Sequence, residues 1–381
     1  MPSNSSVSKK NIPKKASEII LSVIILIALF LLLIYSETAV NYMKKGLVLC
    51  ATAIIPSLFP FMIISELLIR SGIGQKFSRL FRLPMRLIFG IGDSVASAFI
   101  LGSICGFPIG ALTLVKMLDS GEINKRELER MMTFCNIPSA AFVISTLGAS
   151  LLGDIRLVIL IYSCLILSSF IIGISCRFIY KKDAANHVRP LSANLHISAN
   201  DFTSSIQASA ISMLNVCAYV VFFLTLVGCL GTILESLTVP AEITALLFGI
   251  FEISSGVGES AALQNRMLAV VMCALIAGWS GLSVHFQIMS CASGRNISFK
   301  PFFIAKALQG LLCAVLTFAA LKLIPSLLFK DSTVFLPSDS FTLTLWDAFS
   351  LSLFSSALTT LTVKRVWKQI ATSVLTKTDK K

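Results

Sequence analysis

The chain has 381 residues, of which 55% are hydrophobic and 13% charged, with a formal net charge of +13. A soluble globule carries about 25% charged residues, so the composition excludes an ordinary soluble domain and implies one polytopic membrane domain. The basic excess flanks apolar segments, the pattern that orients helices in a bilayer, and no basic, aromatic-interleaved soluble segment offers itself to nucleic acid.

Runs of about 20 apolar residues cross the hydrocarbon core, whereas runs of 10 to 14 do not. Residues 1–17 form a basic tail carrying Lys9, Lys10, Lys14 and Lys15. The apolar stretch 18–36 follows. Its exit, Ser36-Glu37-Thr38-Ala39, lacks a small-x-small cleavage pattern, so a retained first span is expected rather than a signal peptide. Further full spans are predicted at 46–69, 131–152, 157–180, 207–234, 267–291, 301–328 and 341–363.

Two apolar regions fit badly as single spans. Residues 87–118 divide around Gly102-Ser103-Ile104-Cys105-Gly106-Phe107-Pro108-Ile109-Gly110, and residues 241–265 are broken at Glu252–Gly258. Each reads as a helical hairpin that enters the membrane and returns to the same side. The charges agree for the first. With an inside amino terminus, the cytoplasmic regions hold 26 of the 32 Lys and Arg, counting Lys116 and Lys306 as helix-end residues. A full crossing at 87–118 would move a basic loop outside, against the positive-inside rule.

The predicted fold is therefore an all-α polytopic membrane protein. It has about eight transmembrane helices plus two re-entrant helical hairpins in inverted repeats. Repeat 1 covers 46–180 and repeat 2 covers 207–328, joined by a cytoplasmic linker at 181–205 and followed by a last span at 341–363. A basic tail at 364–381 is cytoplasmic, like the amino terminus.

Broken segments in corresponding halves are the best sequence pointer to a transporter's binding site. Pro108, between Gly106 and Gly110, removes a backbone donor and lets a new half-helix begin, whose free amides favour an anion. Span 131–152 has its own break at Asn136, Pro138 and Ser139. Glu252, followed by Ser254, Ser255 and Gly256, is an acid inside an apolar stretch. Such acids are costly and usually face a cavity, which makes proton coupling a candidate role, with a cap on the second half-helix as the plain one. Glu66 lies near a membrane boundary before Arg70 and is expected to be a snorkelling or ion-paired residue.

In Gly278–Gln287, small residues precede Ser283, His285 and Gln287. Residues two apart line one side only where the chain is extended, so an unwound stretch here would turn all three to one cavity. His285 can also change charge near neutral pH. Asn215, in span 207–234, is a further polar candidate. No Gly-x-Ser-x-Gly elbow, His-Glu-x-x-His, P-loop or paired carboxylates occur, so an enzyme is not expected. The ten cysteines lack ligand spacing. No metal site and no cofactor follow.

The segments Ile55-Pro56-Ser57-Leu58-Phe59-Pro60-Phe61, Ile64 to Leu68, Ser103 to Ala111, Asn136 to Phe142, Gly249 to Gly256 and Gly278 to Gln287 resemble a sporulation integral membrane protein family of endospore-forming Firmicutes that contains a nucleoside-recognition, or gate, domain. Phe107 stands where that family often has Tyr, and Trp279-Ser280 where Phe-Gly or Phe-Ser is common. The resemblance implies kinship with concentrative nucleoside transporters. It also implies a sporulation role, moving dipicolinic acid from the mother cell across the outer forespore membrane. A pocket would then fall on Gly106, Pro108, Asn136, Ser139, Glu252, Ser283, His285 and Gln287, with Ser254 beside it. The alternatives are a cation-coupled nucleoside transporter, with proton or sodium coupling, and a membrane scaffold that transports nothing. Oligomeric state and location, cell membrane or outer forespore membrane, stay open on sequence.

Overall fold

The computed structural model describes residues 12–71, 85–90, 96–180 and 198–328. The predicted last span at 341–363, the tail at 364–381, most of the linker, and His187 and His196 lie outside the described residues. The described residues are helical, with no strand among them. Among the described residues, five helices are long and apolar enough to cross a membrane: Ser36–Arg70, Ile155–Ile179, Ala199–Ser236, Arg266–Cys291 and Lys300–Leu323. The outward faces carry large apolar side chains, Ile211, Leu214, Leu311 and Val315 among them, as a lipid-facing surface requires. The protein is an integral membrane protein.

In chain order, α1 (Ile12–Ile34) meets α2 (Ser36–Arg70) at a bend on Tyr35. The sequence reading placed a loop between 36 and 46; instead those residues are the first turns of α2. Nothing in Ser36–Gly46 stops a helix, since neither Pro nor a turn pair occurs there. At ~1.5 Å per residue α2 runs about 52 Å, longer than a hydrocarbon core of ~30 Å, so its polar first turns extend beyond it. Lys45 sits there, 4.3 Å from the Tyr42 ring centre. Pro56 and Pro60 are accommodated by a wider π-type turn at Cys50–Ile54, a usual way of re-satisfying backbone freed by proline.

Next come α3 (Ala96–Cys105) and α4 (Ile109–Asp119), packed side by side around the Gly106–Pro108 turn. Residues 131–152, expected as one span, are two pieces. α5 (Lys125–Met132) opens with an Asn124–Glu127 capping box, and the chain leaves the helix at 133–139. It resumes as α6 (Ala140–Phe142), continued by a π-type coil at Val143–Leu152. Pro138 lies within the unwound stretch and Ser139 starts the second piece, its Oγ accepting from the Phe142 N–H at 3.1 Å. α7 (Ile155–Ile179) follows.

The second half opens with α8 (Ala199–Ser236), begun by a Ser198–Asp201 capping box. Then α9 (Ala241–Phe251) and α10 (Ile253–Ala261) pack together, with Glu252 as the only residue between them. α11 (Arg266–Trp279) and α12 (Gly281–Cys291) are separated by Ser280, at φ 76°. α13 (Lys300–Leu323) follows, and a short 3-10 turn at Pro325–Leu328 closes the described chain.

The packing of the halves corresponds. The hairpin α3/α4 touches α6 through α3, and α9/α10 touches α12 through α9. Across the halves, α4 packs on α12 while α10 packs on the coil that continues α6. One apolar core joins Phe89, Phe99, Phe134 and Leu114 to Val284, Ile288 and Phe302. A second joins Val143, Leu157 and Ile161 to Val257, Val270 and Cys273.

Two ion pairs tie the halves at their edges. Arg295, after α12, grips Asp119 at the end of α4 with contacts of 2.8 and 2.7 Å. Asp154, before α7, takes Arg156 at 2.9 Å and Arg266 at 3.3 Å. The hydrogen bonds from Arg156 are the chief reason the Asp154 carboxyl is held below the usual carboxylate range. A depressed carboxyl stabilises the fold above its unfolded pKa and loses that contribution as pH falls through the folded value. Asp154→Asn should therefore lower stability by roughly 1–3 kcal/mol at neutral pH. The gap from wild type should shrink below about pH 4, read by thermal unfolding across pH. A gap that is constant with pH would refute the ion-pair account.

Candidate functional site

A small, partly open cavity lies where the two halves meet. Each half supplies matching walls. Ile54 and Leu58 of α2 face Val216 and Val220 of α8. Phe107, from the α3–α4 turn, is matched by Glu252, Ile253 and Ser254 from the α9–α10 junction. Ser139 and Phe142, at the start of α6, are matched by Ser283, Val284 and Gln287 of α12. The result is an apolar slot with two phenyl rings and one arc of hydroxyl, amide and carboxyl groups. Among the described residues no basic side chain lines it.

Glu252 is 1% exposed and holds an extended backbone, φ −143° and ψ 126°. Its Oε2 accepts from the Ser255 N–H at 2.7 Å, which caps α10. The capping role and the cavity-lining role weighed in the sequence thus coincide in one residue. Ser139 does the same for α6, so two helix amino ends open on the cavity. Ser283 Oγ is buried without a hydrogen-bond partner, a polar atom left for a visitor to the slot.

Close backbone approaches hold these tips. Gly106, at φ 75°, lies against the backbone of Ser139, where an added Cβ would collide. The Phe107 N–H donates to the Ile137 carbonyl at 3.2 Å. In the other half Gly281, at φ 76°, sits against Glu252 and Ile253, with a Cβ landing 3.0 Å from the Ile253 nitrogen. Both glycines occupy the left-handed region, where a side chain is strained.

Of the nine site residues expected from sequence, Ser139, Glu252, Ser254, Ser283 and Gln287 line the cavity. Gly106 and Pro108 shape its turn without lining it. Asn136 is buried behind it, its amide donating to the Met132 carbonyl at 3.1 Å and its Oδ1 unpartnered. His285 is elsewhere. The chain is unwound only at Ser280, and 281–291 is helical. Ser283 and Gln287, four apart, therefore share a face, while His285 turns away. Its Nδ1 lies 2.7 Å from the Gly281 carbonyl oxygen, and its ring sits among Trp279, Phe302 and Phe303 at 4.2, 5.0 and 4.7 Å between centres. The extended stretch expected there is corrected to a one-residue break. Asn215 is exposed on the outer face of α8.

Glu66 accepts from Arg70 at 2.7 Å, as expected, and also pairs with Lys116. Sequence reasoning missed Lys306 and Gln309. Lys306 was counted as a helix-end charge but is fully buried, bonded to the Asn136 carbonyl and to Gln309. Lys306, Gln309, Gly310, Cys313 and Thr317 are all buried and recur along α13 at helical spacing. That polar stripe was the signal available.

No protein-family model and no solved structure matches this chain. It is similar to the sporulation integral membrane protein YlbJ of Bacillus subtilis (strain 168), with 28% identity over 71% of this chain and 75% of the relative. That similarity supports kinship with the sporulation integral membrane proteins.

Proposed function

We propose that the protein is a sporulation membrane transporter that moves dipicolinic acid, or a related small anion, by alternating access. The observation that carries this reading is the cavity walled by corresponding pieces of the two halves, with two capped helix amino ends and an acid at its rim. The corresponding contacts of α3/α4 and α9/α10 support inverted repeats with re-entrant hairpins. Such tips deliver helix amino ends to anionic solutes at mid-membrane. On this reading both termini are cytoplasmic, and export runs from the mother cell toward the forespore. The similarity to YlbJ supports the sporulation context.

The slot suits a small planar solute. Phe107 and Phe142 offer ring faces, while Ser139, Ser254, Ser283 and Gln287 supply hydrogen bonds. With no basic side chain in the lining, an ionised Glu252 would repel a carboxylate. A protonated Glu252 instead donates to it, so each anion travels with a proton.

The test is flux of labelled dipicolinate into proteoliposomes of the purified protein, with and without an inward proton gradient. The expected result is saturable flux that the gradient accelerates. Tight binding and uptake of a nucleoside, with none of dipicolinate, would replace this reading by cation-coupled nucleoside transport. No flux of either solute, with normal spore dipicolinate when the protein is absent, would leave a scaffold.

A further inference from the structure

Lys306 has 0% of its surface exposed and stands in the second turn of α13. Its ammonium donates to the Asn136 carbonyl oxygen at 3.1 Å and to the Gln309 side-chain oxygen at 2.8 Å. Both acceptors are neutral. Among the described residues no carboxylate lies within ion-pairing distance of it. A buried ammonium is ordinarily matched by a carboxylate, because its desolvation is costly. A buried amine held only by amide oxygens therefore marks a position whose oxygens could also receive a cation.

The place explains why. Asn136 belongs to the stretch 133–139 where the chain leaves the helix between α5 and α6. Carbonyls released at such a break are hard, neutral oxygen ligands, and broken membrane helices use them to coordinate monovalent cations. Gln309 adds a second oxygen of the same kind from α13. Asn136 Oδ1, buried on the same residue, is left unpartnered. Two neutral oxygens thus converge on the Lys306 nitrogen, the kind of ligand an alkali cation takes.

We infer that Lys306 is a built-in monovalent cation: its ammonium fills the carbonyl-lined position at the broken helix, and the protein needs no sodium ion there. The break beside Ser139 is thus held in shape by a group tethered to α13, which cannot diffuse away. This inference does not rest on the transport reading, and its test uses no solute.

The measurement is thermal unfolding of the full-length protein in detergent, in sodium chloride and in choline chloride of equal ionic strength. Wild type should melt at the same temperature in both salts. Lys306→Ala vacates the oxygen ligands. It should melt several degrees lower in choline and recover at least half of that loss in excess sodium, because a ligand bound by the folded state alone stabilises it. Lys306→Met fills the space without charge and should stay low in both salts. A wild-type melting temperature that rises with sodium, or a Lys306→Ala protein indifferent to sodium, overturns the inference. Lys306→Ser, which adds an oxygen ligand, carries the same expectation should the alanine variant not accumulate, and the wild-type comparison stands by itself.

Discussion

A Glu252→Gln protein is expected to fold, insert and lose solute transport. The glutamine oxygen can still accept the Ser255 N–H that Glu252 takes at 2.7 Å, so the cap on α10 survives. What disappears is the only ionisable side chain that lines the cavity among the described residues. Without it no proton can be exchanged beside the solute. Flux should fall to background, while the melting temperature stays within a few degrees of wild type. Glu252→Ala removes the cap as well, at a cost of about 0.5–2 kcal/mol, and should lower both readouts. If Glu252→Gln transports at the wild-type rate, the residue is a cap alone and the proton leaves the mechanism.

The largest effect on folding is expected at Gly102 and Gly256. Gly102 of α3 lies against the Cys135 carbonyl and the Gly110 Cα, the latter 3.1 Å from where a Cβ would stand. Gly256 of α10 meets the backbone of Gly249 in α9. In both hairpins the obstacle is main chain, which cannot rotate aside. Gly102→Val and Gly256→Ala should each cost about 1–3 kcal/mol or more, seen as lost accumulation and a lower melting temperature. Gly258, two residues further along α10, has nothing within 4 Å of its would-be Cβ. Gly258→Ala should be neutral or stabilising, by up to about 1 kcal/mol. Equal behaviour of the three variants would contradict the close backbone approach of the arms.

Much of this arrangement was legible in the chain. Gly, Pro and small hydroxyl residues interrupt apolar runs at 102–110, 136–139, 252–258 and 278–281, and within or beside them the helices break at 106–108, 133–139, Glu252 and Ser280. Ser139 and Glu252 could be named because each combines a break with a capping side chain. The extent of unwinding could not be read. Gly278, Ser280 and Gly281 suggest a long extended stretch, yet Ser280 and Gly281 take up the whole turn with positive φ. The helix then resumes and carries His285 to the far side. Lys306 was hidden by its place near a helix start, where a lysine ordinarily snorkels to the interface. Its partners, the Asn136 carbonyl and Gln309, come together only through the packing of α13 on the broken segment.

The central claim is a water-reachable cavity between the two halves, shared by the tips of both hairpins. Cysteine accessibility in native membranes tests it most directly. Single cysteines at Ser139, Ser254, Ser283 and Gln287 are treated with a membrane-impermeant thiol reagent, with Leu214 on the lipid-facing surface of α8 as the control. The account predicts labelling at all four cavity positions above the parent level, protection by bound solute, and none at Leu214→Cys. Four cavity cysteines as unreactive as Leu214→Cys would contradict it.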